Sequence, residues 1–253
     1  MGEYKLAYRL IQLAAGLGLV ASLVACSANP GQEEATVRPT VERTPVPPEL
    51  TVCGVVTASQ ISEVLHQDII RYIYSNKTVA PKDANPTPEY TCSIKLDEGE
   101  YSWVRITYQS GSGRLAGSFL KRSDVTKHTT YEDIAAEDSA QPLLLDGIDG
   151  QGVTVQDTDG YASGAAWRYP DGNVLTIGID ATEDGPRDNP DDVKAAADLA
   201  QKVVLAVPDL AAAGDSQGEW LEYSGAQYVN GTPAAELNRT PTPTPTPIST
   251  LTP

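Results

Sequence analysis

Apolar positions follow three different rhythms along this chain. Residues 10–25, "LIQLAAGLGLVASLVA", are free of charge and broken only by Gln12 and Ser22 among polar side chains. Thr57-Ala58-Ser59-Gln60 fits a capping box, and Ile61, Val64 and Leu65 follow at helical spacing, which predicts a first helix just after Cys53. Residues 90–97 and 101–109 are β-rich runs around Glu98-Gly99, and in the second Ser102, Val104, Ile106 and Tyr108 alternate with Tyr101, Trp103, Arg105 and Thr107. That pattern is a hairpin. A short helix is expected over 115–124, and three strands over 153–156, 161–169 and 174–180, with Pro170-Asp171-Gly172-Asn173 turning between the last two. Asn189-Pro190-Asp191-Asp192 supplies a cap, a first-turn proline and acids at the positive end of a helix that runs through Val207 to Pro208. Its stripe of Val193, Ala196, Ala197, Ala200, Val203, Val204 and Val207 should lie on the sheet.

This order predicts an α+β fold with a mainly antiparallel, curved sheet and flanking helices. One domain is expected over 51–208, a length sufficient to bury a single core. Residues 26–50 hold Pro30, Pro39, Pro45, Pro47 and Pro48 among Glu, Thr and Arg, and read as an extended tether. Residues 209–253 read as a mostly disordered tail, Ala/Gly-rich with one apolar island at Trp220, Leu221 and Tyr223, ending in Thr-Pro repeats from Thr240 to Pro247. Alternating proline denies the backbone the donors that helix or sheet needs.

The N-terminus carries Lys5 and Arg9 before the apolar run, the layout of a secretory signal. At 16 residues the run is shorter than the ~20 that a membrane-crossing helix needs. Leu23-Val24-Ala25-Cys26 resembles the lipobox of bacterial lipoproteins. In that family the cysteine sulfur takes a diacylglyceryl group and cleavage falls just before it, so Cys26 is the expected anchor to the extracytoplasmic face of the plasma membrane. An uncleaved N-terminal anchor is the alternative. Assigning Cys26 to lipid leaves Cys53 and Cys92 as a pair in an oxidising compartment, which reads as a disulfide. A metal or redox pair is the weaker alternative, since the two cysteines lack a C-x-x-C spacing and nearby histidine. A formal net charge of −16 repels phosphates and sets nucleic-acid binding aside.

Several short stretches together are similar to an uncharacterised family of actinobacterial lipoproteins, domain of unknown function 3558. They are Cys53 followed by "GVVTASQISEVL", Thr91-Cys92-Ser93 opening a strand, "DGIDGQG" at 146–152 and "VKAAADLAQKVV" at 193–204. The resemblance spans about 50–208. It implies a membrane-tethered extracytoplasmic domain with a disulfide, brings no catalytic residues, and leaves the Thr/Pro tail outside.

Reactive constellations are scarce. Asp157-Thr158-Asp159-Gly160 begins like a calcium loop, but Tyr161 and Arg168 stand where oxygen ligands are needed. The acidic stretch 180–192 reads as a solvated loop entering a helix, with a weak cation site as the alternative. "GIDGQG" has the wrong glycine order for a dinucleotide fingerprint. His66, expected to end the first helix at the surface, and His128, expected in a turn, are the only histidines, which argues against a serine triad or a structural zinc site. The expectation is therefore a noncatalytic lipoprotein with no cofactor and no metal. It binds an apolar or cell-wall ligand on the sheet face that bears Tyr101, Trp103, Trp167 and Tyr169, or in the groove beside it. A structural lipoprotein that positions an envelope protein partner is the alternative, and a metal-dependent hydrolase a lesser one.

Overall fold

The computed structural model describes residues 43–80, 86–111, 115, 130–156, 162–182 and 190–237, all in one unit, Val41–Pro253. The signal run, Cys26, most of the tether, residues 116–124 of the expected helix, the loop at 157–161, His128 and the Thr-Pro repeats lie outside them.

Strands β1 (Thr51–Val52) and β2 (Val56–Thr57) form a small ladder that leads into α1 (Ala58–Leu65). Thr57 caps α1 as the sequence predicts: its hydroxyl accepts from the Gln60 N–H while the Gln60 side chain accepts from the Thr57 N–H. Ala58, Ile61 and Leu65 form its buried face. Among the described residues ten further strands make one antiparallel sheet: β3 (Ile69–Val79), β4 (Thr87–Leu96), β5 (Tyr101–Ser110), β6 (Gln141–Leu143), β7 (Gln151–Gln156), β8 (Ala162–Arg168), β9 (Asn173–Ala181), β10 (Ser216–Leu221), β11 (Ala226–Val229) and β12 (Thr232–Pro233). Their order across the sheet is β12-β11-β10-β3-β4-β5-β9-β8-β7-β6. The fold is α+β, as the element order implies, and the sheet is not closed. Each edge strand is short and carries a proline, Pro142 in β6 and Pro233 in β12, which removes a backbone donor where a further strand would pair.

Three helices cover one face of the sheet: α1, α3 (Pro190–Val203) and α4 (Ala206–Ala212). The core between them includes Tyr72, Tyr90, Ile94, Ile106, Ile177 and Leu199, all at most 1 % exposed. Alanines at 195, 196 and 200 let α3 lie close to β8 and β9. The helix expected through Val207 stops at Val203, and Pro208 falls in the first turn of α4, where a missing N–H costs no intrahelical bond. On the opposite, outer face a second cluster packs α2 (Tyr131–Ala135) through Tyr131 and Ile134 onto Val155, Ala162, Ala166 and Val174. Strand β8 is therefore buried on both sides, which explains its small-residue sequence.

The glycines of "GIDGQG" have a packing role. A Cβ on Gly152 would fall 2.5 Å from the Trp167 ring, and one on Gly150 would fall 2.7 Å from it, so these two positions leave room for the indole to lie against β7.

The domain expected at 51–208 extends in both directions. In the segment 43–50, Thr44 N–H donates to the Glu222 carbonyl and Val46 N–H to the Ile69 carbonyl, both at 2.7 Å, and Val46 is 5 % exposed within the core. Beyond Pro208, the apolar island expected in a disordered tail is β10, paired with β3 from Ser216↔Asn76 to Trp220↔Tyr72, and α5 (Ala234–Leu237) follows β12. This is a correction to the reading of 209–237 as tail.

Candidate functional site

The bridge between Cys53 and Cys92 is present, with the Cα atoms 6.0 Å apart. It joins the turn before α1 to the middle of β4, and both cysteines are at most 1 % exposed. Cys53 has φ 55°, a left-handed value uncommon away from glycine, and its carbonyl accepts a hydrogen bond from the buried Tyr90 hydroxyl at 3.0 Å. The bridge has a structural position, sealed from solvent.

The four aromatic residues expected to line a ligand face do not share one. Alternation along β5 puts Tyr101 and Trp103 on the same side, but the register shifts between Tyr101↔Ala181 and Trp103↔Asp180, and this irregularity reverses the parity. Tyr101 consequently turns into the helix-side core at 5 % exposure, while half-buried Trp103 stays on the outer face opposite Lys95. Trp167 is 3 % exposed and belongs to the same core as Tyr101. Tyr169 packs against that core, donates to the Val204 carbonyl at 2.6 Å and meets Tyr108 edge to face. Three of the four thus hold helices to the sheet.

Tyr101 does this through chemistry with a pH signature. Its hydroxyl donates at 2.6 Å to Oδ1 of Asp192, a residue 4 % exposed in the first turn of α3. Burial raises the Asp192 carboxyl above its ordinary value near 3.8; the Tyr101 bond pulls it down, and Glu100 and Asp191 push it further up. Burial and the neighbouring carboxylate also raise the Tyr101 phenol. A carboxyl with a raised native pKa binds its proton more readily folded than unfolded, so its contribution is complete below the unfolded value and is lost as pH rises through the folded one. Asp192→Asn keeps an oxygen acceptor for Tyr101. Urea midpoints of the two proteins should therefore shift in favour of the wild type as pH falls from 7 towards 4. A flat difference, or the opposite slope, would mean that the helix N-terminus holds Asp192 as an anion.

Above this pair lies a polar cleft of ≈ 330 Å³ between α1 and α3, bordered by His66, Glu100, Tyr101, Asp191, Lys194 and Asp198. His66 caps the end of α1 at the surface, as expected. Among the described residues no group of three or more His, Cys, Asp or Glu is arranged to hold a metal ion. Of the acidic stretch, 183–189 lie outside the described residues, and Asp180 is paired with Arg105 at 2.6 Å.

The second depression, a groove of ≈ 350 Å³, is on the outer face where β11, β10, β3 and β4 run side by side. Register places its side chains in two rows across the strands. One row is Tyr228, Glu219, Ile73 and Ser93; the other is Gln217, Ser75 and Thr91. Ile73 is 48 % exposed, the Ser75 and Thr91 hydroxyls are 3.2 Å apart, and Gly231 closes the groove at the β11–β12 turn. None of these positions was read as a binding residue from sequence, although Thr91 and Ser93 flank Cys92 in one of the stretches that carry the family resemblance. The alternation of Arg71, Ile73, Ser75 and Lys77 against Tyr72, Tyr74 and Asn76 was the available signal for β3, but its partner β10 lies some 140 residues away.

No family model, no curated protein and no solved structure matches this chain.

Proposed function

We propose that this protein is a lipid-anchored cell-envelope lipoprotein of the actinobacterial type that the sequence resembles, acting without catalysis by binding a ligand in the outer-face groove. The groove itself carries the reading. It is a depression of ≈ 350 Å³ on the sheet, lined mostly by polar side chains at regular strand spacings. The lipobox-like "LVAC" at 23–26 supports attachment through Cys26 to the plasma membrane, and the buried disulfide suits an oxidising, extracytoplasmic location. Two acyl chains anchor stably where one holds marginally.

A structural role, positioning an envelope partner, has its own support in Leu144 and Leu205, which are 88 % and 69 % exposed. The two readings separate in one measurement. Native mass spectrometry of the chain from Ser27, produced in an actinobacterial host, should find an added mass that denaturation removes and that Ser93→Trp, which fills the groove, abolishes. A bare mass in the wild type would turn the assignment to the structural role. In parallel, Cys26→Ala should release the full-length chain from membranes; a variant still membrane-bound and lipid-labelled would refute the anchor.

A further inference from the structure

Resting on that groove as the binding site, we infer that its ligand is a neutral saccharide. The argument begins with what the lining contains. Across β10, β3 and β4, the row Gln217–Ser75–Thr91 offers an amide and two hydroxyls, and the neighbouring row ends in the Ser93 hydroxyl. Adjacent strands are about 4.8 Å apart and alternate residues about 6.8 Å apart along each strand, so these groups form a flat lattice of donors and acceptors. Each hydroxyl has one donor and two acceptor sites, and the single Ser75–Thr91 contact leaves most of that capacity free for a ligand. A ligand matched to such a lattice presents many hydroxyls on a flat scaffold. Sugars do.

The same lining disfavours other classes. Among the described residues no lysine or arginine lines the groove, whereas Glu219 does. Arg71, Lys77, Lys95 and Arg105 stand one position beyond its rows, the last three paired with Glu89, Glu222 and Asp180, and the chain carries a net charge of −16, which disfavours a phosphate, carboxylate or nucleotide. A lipid tail needs an apolar trough, whereas Ile73 stands alone between Glu219 and Ser93 in its row. Tyr228, directly across from Glu219 on β11, adds an aromatic side chain with an apolar body and a polar tip at one end. That combination suits a sugar ring, whose faces bear C–H groups and whose rim bears hydroxyls. Glu219 beside it accepts from such a rim without needing a cation.

The test is isothermal titration of the chain from Ser27, which retains every residue of the fold, with the tetramers of N-acetylglucosamine, mannose and α-1,4-glucose, and separately with palmitate. At least one tetrasaccharide should saturate a single site. Gln217→Ala and Tyr228→Ala should each weaken it about tenfold, the loss of one good contact, while leaving the melting temperature in place. Heat from palmitate alone, abolished by Ser93→Trp, would overturn the saccharide assignment and leave the groove as the site. Saccharide binding unchanged in Ser93→Trp, Gln217→Ala and Tyr228→Ala would overturn the groove. Silence from all three saccharides would overturn the proposal.

Discussion

Replacing Cys53 and Cys92 together by alanine is expected to lower the unfolding free energy by about 4 kcal/mol, a large share of the ~5–15 kcal/mol typical of a native domain. The figure follows from the separation of 39 residues, whose closure restricts the unfolded chain. That loop holds α1, β3 and the first half of β4, so without the bridge the N-terminal part of the sheet has to be gathered from an unconstrained chain. The native state loses something as well. Cys53 is held in a left-handed conformation and its neighbour Gly54 has φ 75°, and together they deliver the chain into the capped start of α1. In urea the midpoint should fall while the slope steepens, because an unclosed denatured chain exposes more surface. Adding reductant to the unfolded wild-type protein should reproduce the variant's curve. Coincident curves for wild type and variant without reductant would mean that the bridge does not form in the protein.

The parts of this fold that were legible in the sequence are those whose cause is local. Thr57 and Gln60 cap α1 from three residues apart, Pro170 to Asn173 turns β8 into β9, and Pro190-Asp191-Asp192 opens α3; each signal is complete within a few residues. What escaped has causes remote in sequence. Strand β10 reads "SQGEWL", with Trp220 and Leu221 its only large apolar residues, and Gly218 looks like a loop residue. In the fold that glycine is required, since a Cβ there would fall 2.5 Å from the ring of Tyr74 in the neighbouring strand β3. The candidate site shows the same limit. Period-two counting put Tyr101 beside Trp103, and one irregularity in the β5–β9 ladder sent the tyrosine to Asp192 in the core. Aromatic residues are a poor guide to an exposed site where helices must be fastened to a sheet. The groove was invisible because Ser75, Thr91, Ser93 and Gln217 are unremarkable singly and become a surface only through the register of three strands.

Ending the chain after Ala213 is expected to abolish cooperative folding, although the sequence alone marks that point as past the domain. The truncation removes β10, β11 and β12 and turns β3 into an edge strand with Tyr72 and Tyr74 stripped of their neighbours. Tyr72 is fully buried in the intact protein and accepts a hydrogen bond from Gln227; burial pushes its phenol up to about 12, a measure of how dry that position is. Trp220 goes too. Truncating a buried tryptophan alone costs about 3–5 kcal/mol, so Trp220→Ala in the full chain should lower the melting temperature by roughly 6–20 °C. The damage then spreads to the other terminus. Segment 43–50 loses the Glu222 carbonyl that holds Thr44, and with it the support that keeps Val46 in the core, while Lys95 loses its ion pair with Glu222. Asn76, 2 % exposed, loses its bond to the Gly214 carbonyl and to Ser216. Its Nδ2 keeps the Leu210 carbonyl, but the buried Oδ1 left without Ser216 adds about 1–3 kcal/mol to the cost. Those two terms alone come to about 4–8 kcal/mol, comparable with the ~5–15 kcal/mol of a typical domain, and the loss of three paired strands adds to them. The truncated chain should therefore lose its near-UV circular dichroism and bind a hydrophobic dye, whereas a chain ended after Leu237 keeps every element described and serves as the matched control. A sharp melt of the Ala213 truncation near the wild-type temperature would show that the β10–β12 ribbon is an appendage, and that the fold and its groove are separable.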